Sequence, residues 1–366
     1  MKILFIAPDI GSGGAEKVLF NVLKTRNNKD IFLISLTNIG FYGKKLREKG
    51  YKICSLNLKK DFFSIFKIFK LYLLILRFNP DVVHTWLYHA NLFGGICAKI
   101  AGIKKIYWSI HHDYETPNFW IMFEMKLLIL LSHLIPNKII FCSNTSKKNH
   151  IKQGYKVSVS QIIKNGVSTK IFKPNLKLRK KIRQNLKISN DCLLLGNISR
   201  YHPIKAHENL LQALSLLKKK GINFKCLLIG DGLNNKNKML VSKIRFFKLT
   251  DNIILFGKSY EINTIINALD LNILSSKKES FPMVILEAMS AGIPCISTNV
   301  GDVKTIIGNT GWVVKVSDPY SLAHTIRNIS KDRGKLKDYS FLAREKILKK
   351  YSIGKMIKSY KKLYDF

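Results

Sequence analysis

Two glutamates, Glu279 and Glu287, stand with seven residues between them in "SSKKESFPMVILEAMSAGIPCISTNVGD", Ser275 to Asp302. Pro282 suits the first turn of a helix, and that helix would run on through Ala288 to Gly292. Glu279 then lies on the loop before the helix, and Glu287 sits one to two turns in. Carboxylates so placed accept hydrogen bonds from hydroxyls, such as those of a sugar. The free N–H groups of the turn from Phe281 to Val284, around Pro282 and Met283, can donate to a sugar or a phosphate. Taken alone, the segment also reads as a solvated helix with incidental acids.

A second candidate lies near the start, in "IAPDIGSGGAEKVLF", Ile6 to Phe20. An apolar run ends in a glycine-rich loop, and a helix-like pattern follows. Glycines let backbone N–H groups approach an anion. A dinucleotide is the first ligand to test. Gly11 and Gly13 give G-x-G, but the third fingerprint glycine falls on Glu16. The next apolar run, Ile31 to Leu36, ends in Thr37 and Asn38, with no acid for a ribose. No G-K-[ST] follows either, so the loop is not a P-loop. Glu16 reads most simply as an acid in a first helical turn, where it suits the dipole.

These groups need elements to hold them. Strand-like runs fall at 3–7, 31–36, 81–84, 105–110, 138–142 and 160–163, and again at 192–198, 224–229, 252–256, 271–275 and 293–297, with helix-like segments between. Such alternation predicts α/β architecture with parallel sheets covered on both faces. There are strands enough for two doubly wound Rossmann-like domains facing a central cleft. Ligands bind at the carboxyl ends of such strands. "KPNLKLRKKIRQNLK", Lys173 to Lys187, is basic throughout and opens near Pro174, and it reads as the domain junction.

Composition narrows the class. The chain has 366 residues, 46% hydrophobic and 23% charged, which fits two globular domains. The formal net charge is +39, spread over both halves. One reading is the lysine-rich bias of an AT-rich genome. The other is an anionic partner, nucleic acid or an acidic membrane surface. None of the six cysteines forms a C-x-x-C pair, which argues for reduced core residues and no zinc site. The first apolar run ends at Pro8, too short for a signal peptide, and no stretch of 18 uncharged apolar residues exists to span a membrane. In "FFSIFKIFKLYLLILRF", residues 62–78, Ser64, Lys67, Lys70 and Arg77 share one arc of a helical wheel. Core packing and contact with an anionic membrane both fit that helix.

E-S-F-P-x-V-x-x-E-A-M-x-A-G-x-P resembles the E-x7-E signature of retaining glycosyltransferases of family 4, which have the GT-B fold. Other segments agree in order. "GSGGAEKV" resembles that family's N-terminal glycine loop, and "DVVHTWLYHANLFGGICAKIAG" its second motif. "WSIHHD" resembles the following strand end, "NGVSTKIFKP" the end of the first domain, and "ISRYHPIKAHENLLQAL" an Arg-plus-Lys phosphate site. "LLIGDG", "LFGKSYEI" and "TGWVV" complete a series that covers nearly the whole chain. Three positions depart from it: Ser280 stands where glycine is usual, His111 where arginine is frequent, and Ser168 where Asp or Asn follows N-G-V.

The resemblance implies an N-terminal acceptor-side domain at 1–170, a nucleotide-sugar-binding domain at 171–349, and a C-terminal helix at 350–366 packed back on the first. It implies Glu279 on the donor sugar, Glu287 on the ribose, and Arg200 and Lys205 on the donor diphosphate. Fixed cations there stabilise charge that develops on the departing phosphate. Two solvated loop cations are the plainer alternative. His112 matches a histidine beside the donor sugar, where it bonds a hydroxyl or relays a proton; a structural histidine competes. His84 reads as support for its strand end. Gly13 and Gly14 would leave room for the donor diphosphate. The family's usual route to retention is same-face attack, with the leaving phosphate taking the acceptor's proton.

No D-x-D occurs in the chain, which argues for a metal-independent transferase with no cofactor beyond its nucleotide-sugar substrate. The function expected is transfer of a sugar, from a UDP-linked donor, to a lipid-linked or growing glycan in surface polysaccharide assembly. The expected location is cytoplasmic, at the inner face of the plasma membrane on anionic lipid. A same-fold transferase with a soluble acceptor is one rival. A nucleic-acid-binding protein rests on charge alone, without a recognised motif. A sugar-nucleotide epimerase of two similar domains is a third.

Overall fold

A computed structural model gives the structure of residues 1–59, 64–111 and 119–364. The chain forms two compact units. The first is Met1–Asn165 together with the helix end from Met356; the second is Gly166–Lys355.

The first unit is a seven-stranded parallel sheet. Its strands are β1 (Ile3–Ala7), β2 (Ile31–Ser35), β3 (Lys52–Ser55), β4 (Val82–Trp86), β5 (Ile106–Ile110), β6 (Lys138–Phe141) and β7 (Ser160–Ile162). The order is β3-β2-β1-β4-β5-β6-β7. "ILFIA" and "IFLIS" are buried at every position, because helices cover both faces of a parallel sheet. In the register, Phe5 lies opposite Leu33 on one side and His84 on the other.

Of the four connections that run the same way across this sheet, three are β3 to β4, β4 to β5 and β5 to β6. Right-handed crossovers therefore put their helices on one face. They are Ser64–Phe78, Gly95–Ile100 and Phe119–Ser132. Leu71, Ile75, Ala98, Met125 and Leu128 from these helices share one core with Leu4, Ile6, Val83 and Trp108 of the strands.

The second unit is a six-stranded parallel sheet. Its strands are β8 (Leu193–Ile198), β9 (Phe224–Ile229), β10 (Ile253–Gly257), β11 (Leu271–Leu274), β12 (Cys295–Thr298) and β13 (Trp312–Val314). They lie in the order β10-β9-β8-β11-β12-β13. Leu210, Leu214 and Leu217 of helix His207–Lys219 and Leu322, Ile326 and Ile329 of helix Pro319–Lys331 pack on this sheet.

Most of the basic stretch read as the junction is helical. Residues Leu176–Asn185 form a helix of the second unit. Arg183 pairs with Asp270 at 3.1 Å, and Arg179 pairs with the other carboxylate oxygen. The boundary falls earlier, between Asn165 and Gly166, because the segment after it is tied to the second unit. Val167 N–H donates to the Tyr351 carbonyl at 2.9 Å, and Ser290 Oγ donates to the Phe172 carbonyl at 2.6 Å.

The chain returns to the first unit through helix Ile353–Tyr364. Met356, Tyr360, Leu363 and Tyr364 form its buried stripe. Tyr364 meets His84 Nδ1 at 2.5 Å, and His84 Nε2 meets Ser109 Oγ at 2.8 Å. His84 is therefore a structural tie between sheet and terminal helix. All six cysteines are free, and all but Cys54 are buried. Among the described residues no helix is long and apolar enough to cross a membrane.

Candidate active site

Strand order decides where this chemistry gathers. In the second sheet the order reverses between β8 and β11, and a doubly wound sheet opens a crevice at that point, beyond the carboxyl ends. The chain leaves β8 into Ser199–Lys205 and leaves β11 into Ser275–Glu279. Two loops far apart in sequence are thereby brought side by side.

Their contact is direct. Lys205 Nζ lies 2.6 Å from Glu279 Oε1. Ser276 Oγ donates to the same oxygen at 2.7 Å. The backbones are joined as well: Lys277 N–H donates to the Ile204 carbonyl at 2.7 Å, and Ser275 Oγ donates to the Lys205 carbonyl at 2.9 Å. Thr298, at the end of β12, donates to the Ser276 carbonyl at 2.6 Å. The pair is shielded but reachable, with Lys205 20% and Glu279 14% exposed at the side chain. Arg200 stands exposed at the start of the same loop and makes no ion pair among the described residues.

A third loop closes under Glu279. Gly301 has φ +51, and a Cβ there would overlap the Glu279 carbonyl and come within 2.5 Å of the Ser280 carbonyl. Only glycine allows so close an approach at that dihedral.

The helix after Glu279 is Met283–Ser290, with Pro282 at its cap rather than inside the first turn. It ends at Ser290 because Gly292, at φ +73, turns the chain away. No side chain caps its N-terminus, and the N–H groups of Met283 and Val284 have no partner within the helix. Phe281 and Glu287 are buried, Met283 and Val284 half-buried. Glu287 is the fifth residue of the helix, one turn in.

Behind the Lys205 turn lies His207, buried, with Nε2 3.0 Å from Ser199 Oγ. Burial, and next the charge of Lys205, push its pKa down to about 4. A neutral imidazole therefore stands next to the cation, and it adds no charge to the site near neutral pH. Neither His207 nor the Ser275, Ser276 and Thr298 hydroxyls stood out in the sequence. The one local signal was the S-x-x-E spacing, which sets Ser276 within reach of Glu279.

In the first unit the order reverses between β1 and β4. The glycine loop leaves β1 there and leads into helix Gly14–Leu23, with Gly13 at its cap and Glu16 in its first turn. Gly11 N–H donates to Asp9 Oδ1 at 2.8 Å, and Trp86 Nε1 at the end of β4 donates to the Ala15 carbonyl at 3.2 Å. A Cβ on Gly13 would meet first the carboxylate of Glu16, the movable end of a side chain. The fold itself therefore places no backbone demand for glycine at 13. His111 stacks on Trp86 with centroids 4.5 Å apart. His112 lies outside the described residues. Among those described, no group of three or more His, Cys, Asp or Glu is placed to hold a metal ion.

Two family models match the chain. "Glycosyltransferase Family 4" matches residues 12–171, and "Glycosyl transferases group 1" matches residues 179–346. Between them they take in both units and every loop just described except the start of the glycine loop. The chain is a GT-B glycosyltransferase. The capsular polysaccharide biosynthesis glycosyltransferase CapM of Staphylococcus aureus is 26% identical to this glycosyltransferase over 347 residues, covering 89% of this chain and 87% of that one. The UDP-Gal:alpha-D-GlcNAc-diphosphoundecaprenol alpha-1,3-galactosyltransferase of Escherichia coli is 26% identical over 323 residues, covering 85% and 81%. Among solved structures, HepE of Anabaena in complex with UDP-glucose superposes with a TM-score of 0.88 at 21% identity, over 99% of each chain. That likeness confirms the fold of this glycosyltransferase.

Proposed function

We propose that this glycosyltransferase moves a sugar from a UDP-linked donor to a lipid-linked or growing glycan in surface polysaccharide assembly, with retention at the anomeric carbon. One observation carries the donor half: Lys205 and Glu279 meet beside an uncapped helix N-terminus at a sheet's switch point. A nucleoside diphosphate sugar carries groups that match each of these. Its diphosphate takes Lys205, Arg200 and the Met283 and Val284 N–H groups. Its sugar hydroxyls donate to Glu279, and its ribose hydroxyls donate to Glu287. HepE with UDP-glucose supports the nucleotide, and the E. coli enzyme supports both nucleotide and lipid-linked acceptor. CapM supports the pathway class.

As the donor bond breaks, negative charge grows on the leaving phosphate, and fixed cations stabilise it. The sequence has no D-x-D, so Arg200 and Lys205 are the groups assigned this task, without a metal. The acceptor oxygen bonds the anomeric carbon on the face the phosphate leaves, and its proton passes to that phosphate.

The acceptor half comes with a membrane surface as partner. The three helices on one face of the first sheet turn apolar residues outward: Phe66, Phe69, Leu73, Leu76, Ile100, Met122, Phe123 and Leu130 are all exposed. Lys70, Arg77, Lys99 and Lys126 are exposed on the same helices. Apolar side chains ringed by cations suit anionic lipid, and the net charge of +39 has the right sign. The working location is then the cytoplasmic side of the plasma membrane.

Calorimetry with UDP and UDP-glucose tests the division of roles. Glu287→Ala weakens both ligands, since it removes ribose contacts. Glu279→Ala binds UDP at least as tightly as the parent, because Lys205 is then free for the diphosphate, and weakens only the sugar-bearing ligand, by on the order of 2–4 kcal/mol for two hydroxyl bonds to a carboxylate. Equal loss of UDP in both variants refutes it.

A further inference from the structure

Ser276 has a task that its neighbours define. It is fully buried at the end of β11, its carbonyl is held by Thr298, and its hydroxyl points at Glu279. Lys205 Nζ and Ser276 Oγ both donate to Glu279 Oε1, at 2.6 and 2.7 Å. Among the described residues no hydrogen bond is made to Oε2. The carboxylate is therefore fixed by one oxygen and presents the other.

On the reading of Glu279 and Lys205 given above, the donor asks Lys205 to do something else. A diphosphate carries more negative charge than a carboxylate and draws the ammonium toward itself. The charged tether of Glu279 is then loosened at the moment its orientation matters. We propose that Ser276 is a positioning residue: its hydroxyl keeps Oε1 in place when Lys205 turns to the diphosphate, so that Oε2 meets the sugar hydroxyls. The adjacent Ser275 holds the other partner through the Lys205 carbonyl. Two consecutive serines at one strand end thus hold the sugar-reading carboxylate and the turn that bears the cation. A neutral hydroxyl suits the first task because it holds the carboxylate without competing for the phosphate.

The test compares Ser276→Thr with Ser276→Val. These two side chains share one shape, so any crowding in the buried site is common to both and only the hydroxyl differs. Calorimetry is run with UDP and with the tightest binder among UDP-glucose, UDP-galactose and UDP-N-acetylglucosamine. A carboxylate that Lys205 has released and no hydroxyl holds must be ordered at the expense of binding, which lowers affinity by up to about tenfold. The valine variant is expected to bind the UDP-sugar up to about tenfold more weakly than the threonine variant, with equal UDP affinity and a lower melting temperature, since the bond to Glu279 is lost in the free protein as well. In a Glu279→Ala background the two are expected to bind alike, because the group being positioned is gone.

Equal UDP-sugar affinity of the two variants, while Glu279→Ala alone weakens it, overturns the role of Ser276 and leaves that of Glu279 standing. A valine defect that persists in the Glu279→Ala background overturns it too, as does a defect shared with UDP. If Glu279→Ala binds UDP-sugar and UDP as the parent does, or no UDP-sugar binds more tightly than UDP, the reading of Glu279 fails and the proposal fails with it.

Discussion

Acid should loosen the first unit through one side chain, His84. The ring is fully buried between Tyr364 and Ser109, and burial, then the charge of Arg26, lowers its pKa from 6.5 to about 3. Above the ordinary histidine value neither the folded nor the unfolded chain holds this proton, and His84 makes stability no more or less pH-dependent. Between there and about 3 the unfolded chain binds a proton that the folded chain refuses. Stability then falls as pH falls, by about 1.4 kcal/mol per unit, and levels off only below the folded value. At about pH 5 the loss from this group is about 2 kcal/mol. His84→Gln keeps an acceptor and a donor for Tyr364 and Ser109 but does not titrate. It costs stability at neutral pH, since ring contacts with Phe5 and Trp86 at centroid distances of 5.5 and 5.4 Å are lost. It also flattens the acid response. Urea unfolding is followed by fluorescence of the buried Trp86 and Trp108 at about pH 7.5 and about pH 5. Other titrating groups cancel in the difference between wild type and variant. A wild type that loses no more stability than His84→Gln over this interval refutes the argument.

Lys205→Ala lowers kcat/KM by at least ~10²-fold, the scale for removing a preorganised charge stabiliser, and the wild type keeps its activity in EDTA. Full activity in the variant, or total loss with chelator, counts against the leaving-group assignment. Ala206 caps helix His207–Lys219 at φ +50, where an L side chain is strained. Ala206→Gly should raise the stability of the second unit by about 1 kcal/mol, read as a shift in urea midpoint; an unchanged or lower midpoint contradicts it. Wild type sediments with anionic but not neutral vesicles, and rising salt weakens this, each cation being worth ~1 kcal/mol. Phe69→Ser with Lys70→Glu reduces sedimentation; equal sedimentation with both lipids removes the membrane from the account.

The strands were legible where burial is two-sided. "ILFIA", "IFLIS" and "FKCLLI" are continuous apolar runs because helices cover both faces of the sheet. "KICS" and "WVV" carry no clear strand signal, since β3 and β13 are short edge strands, mostly half-exposed. The helix Leu176–Asn185 was hidden by its own charge. Nothing local shows that Arg179 and Arg183 are answered by Asp270, some ninety residues on. Lys67 shares one arc of the helical wheel with Ser64, Lys70 and Arg77, and the wheel alone would let it face out with Lys70 and Arg77. It is instead half-buried and donates to the Asn57 carbonyl at 2.6 Å, so the outward arc is more apolar than its composition suggests. At the site, Lys205 and Glu279 were legible as types and as motif. Their contact was not, because it depends on β8 and β11 being neighbours, a property of strand order rather than spacing.

That contact also explains how the site tolerates its charges without a donor. A lone carboxylate at 14% exposure is costly, and breaking a buried pair by removing one member is worse than never burying it. Lys205 answers Glu279 when no donor is bound. On the proposed reading, the hydroxyls of the donor sugar answer Glu279 when the diphosphate takes Lys205, and Ser276 bonds it throughout. The carboxylate is never left bare, and Lys205 passes from one anion to another. A donor truncated to UDP supplies the diphosphate without the hydroxyls. It draws on Lys205 while giving Glu279 nothing in return. The proposed roles thus have the sugar recognised partly through what its absence would leave unpaired, and such recognition discriminates more strongly than the hydrogen bonds alone.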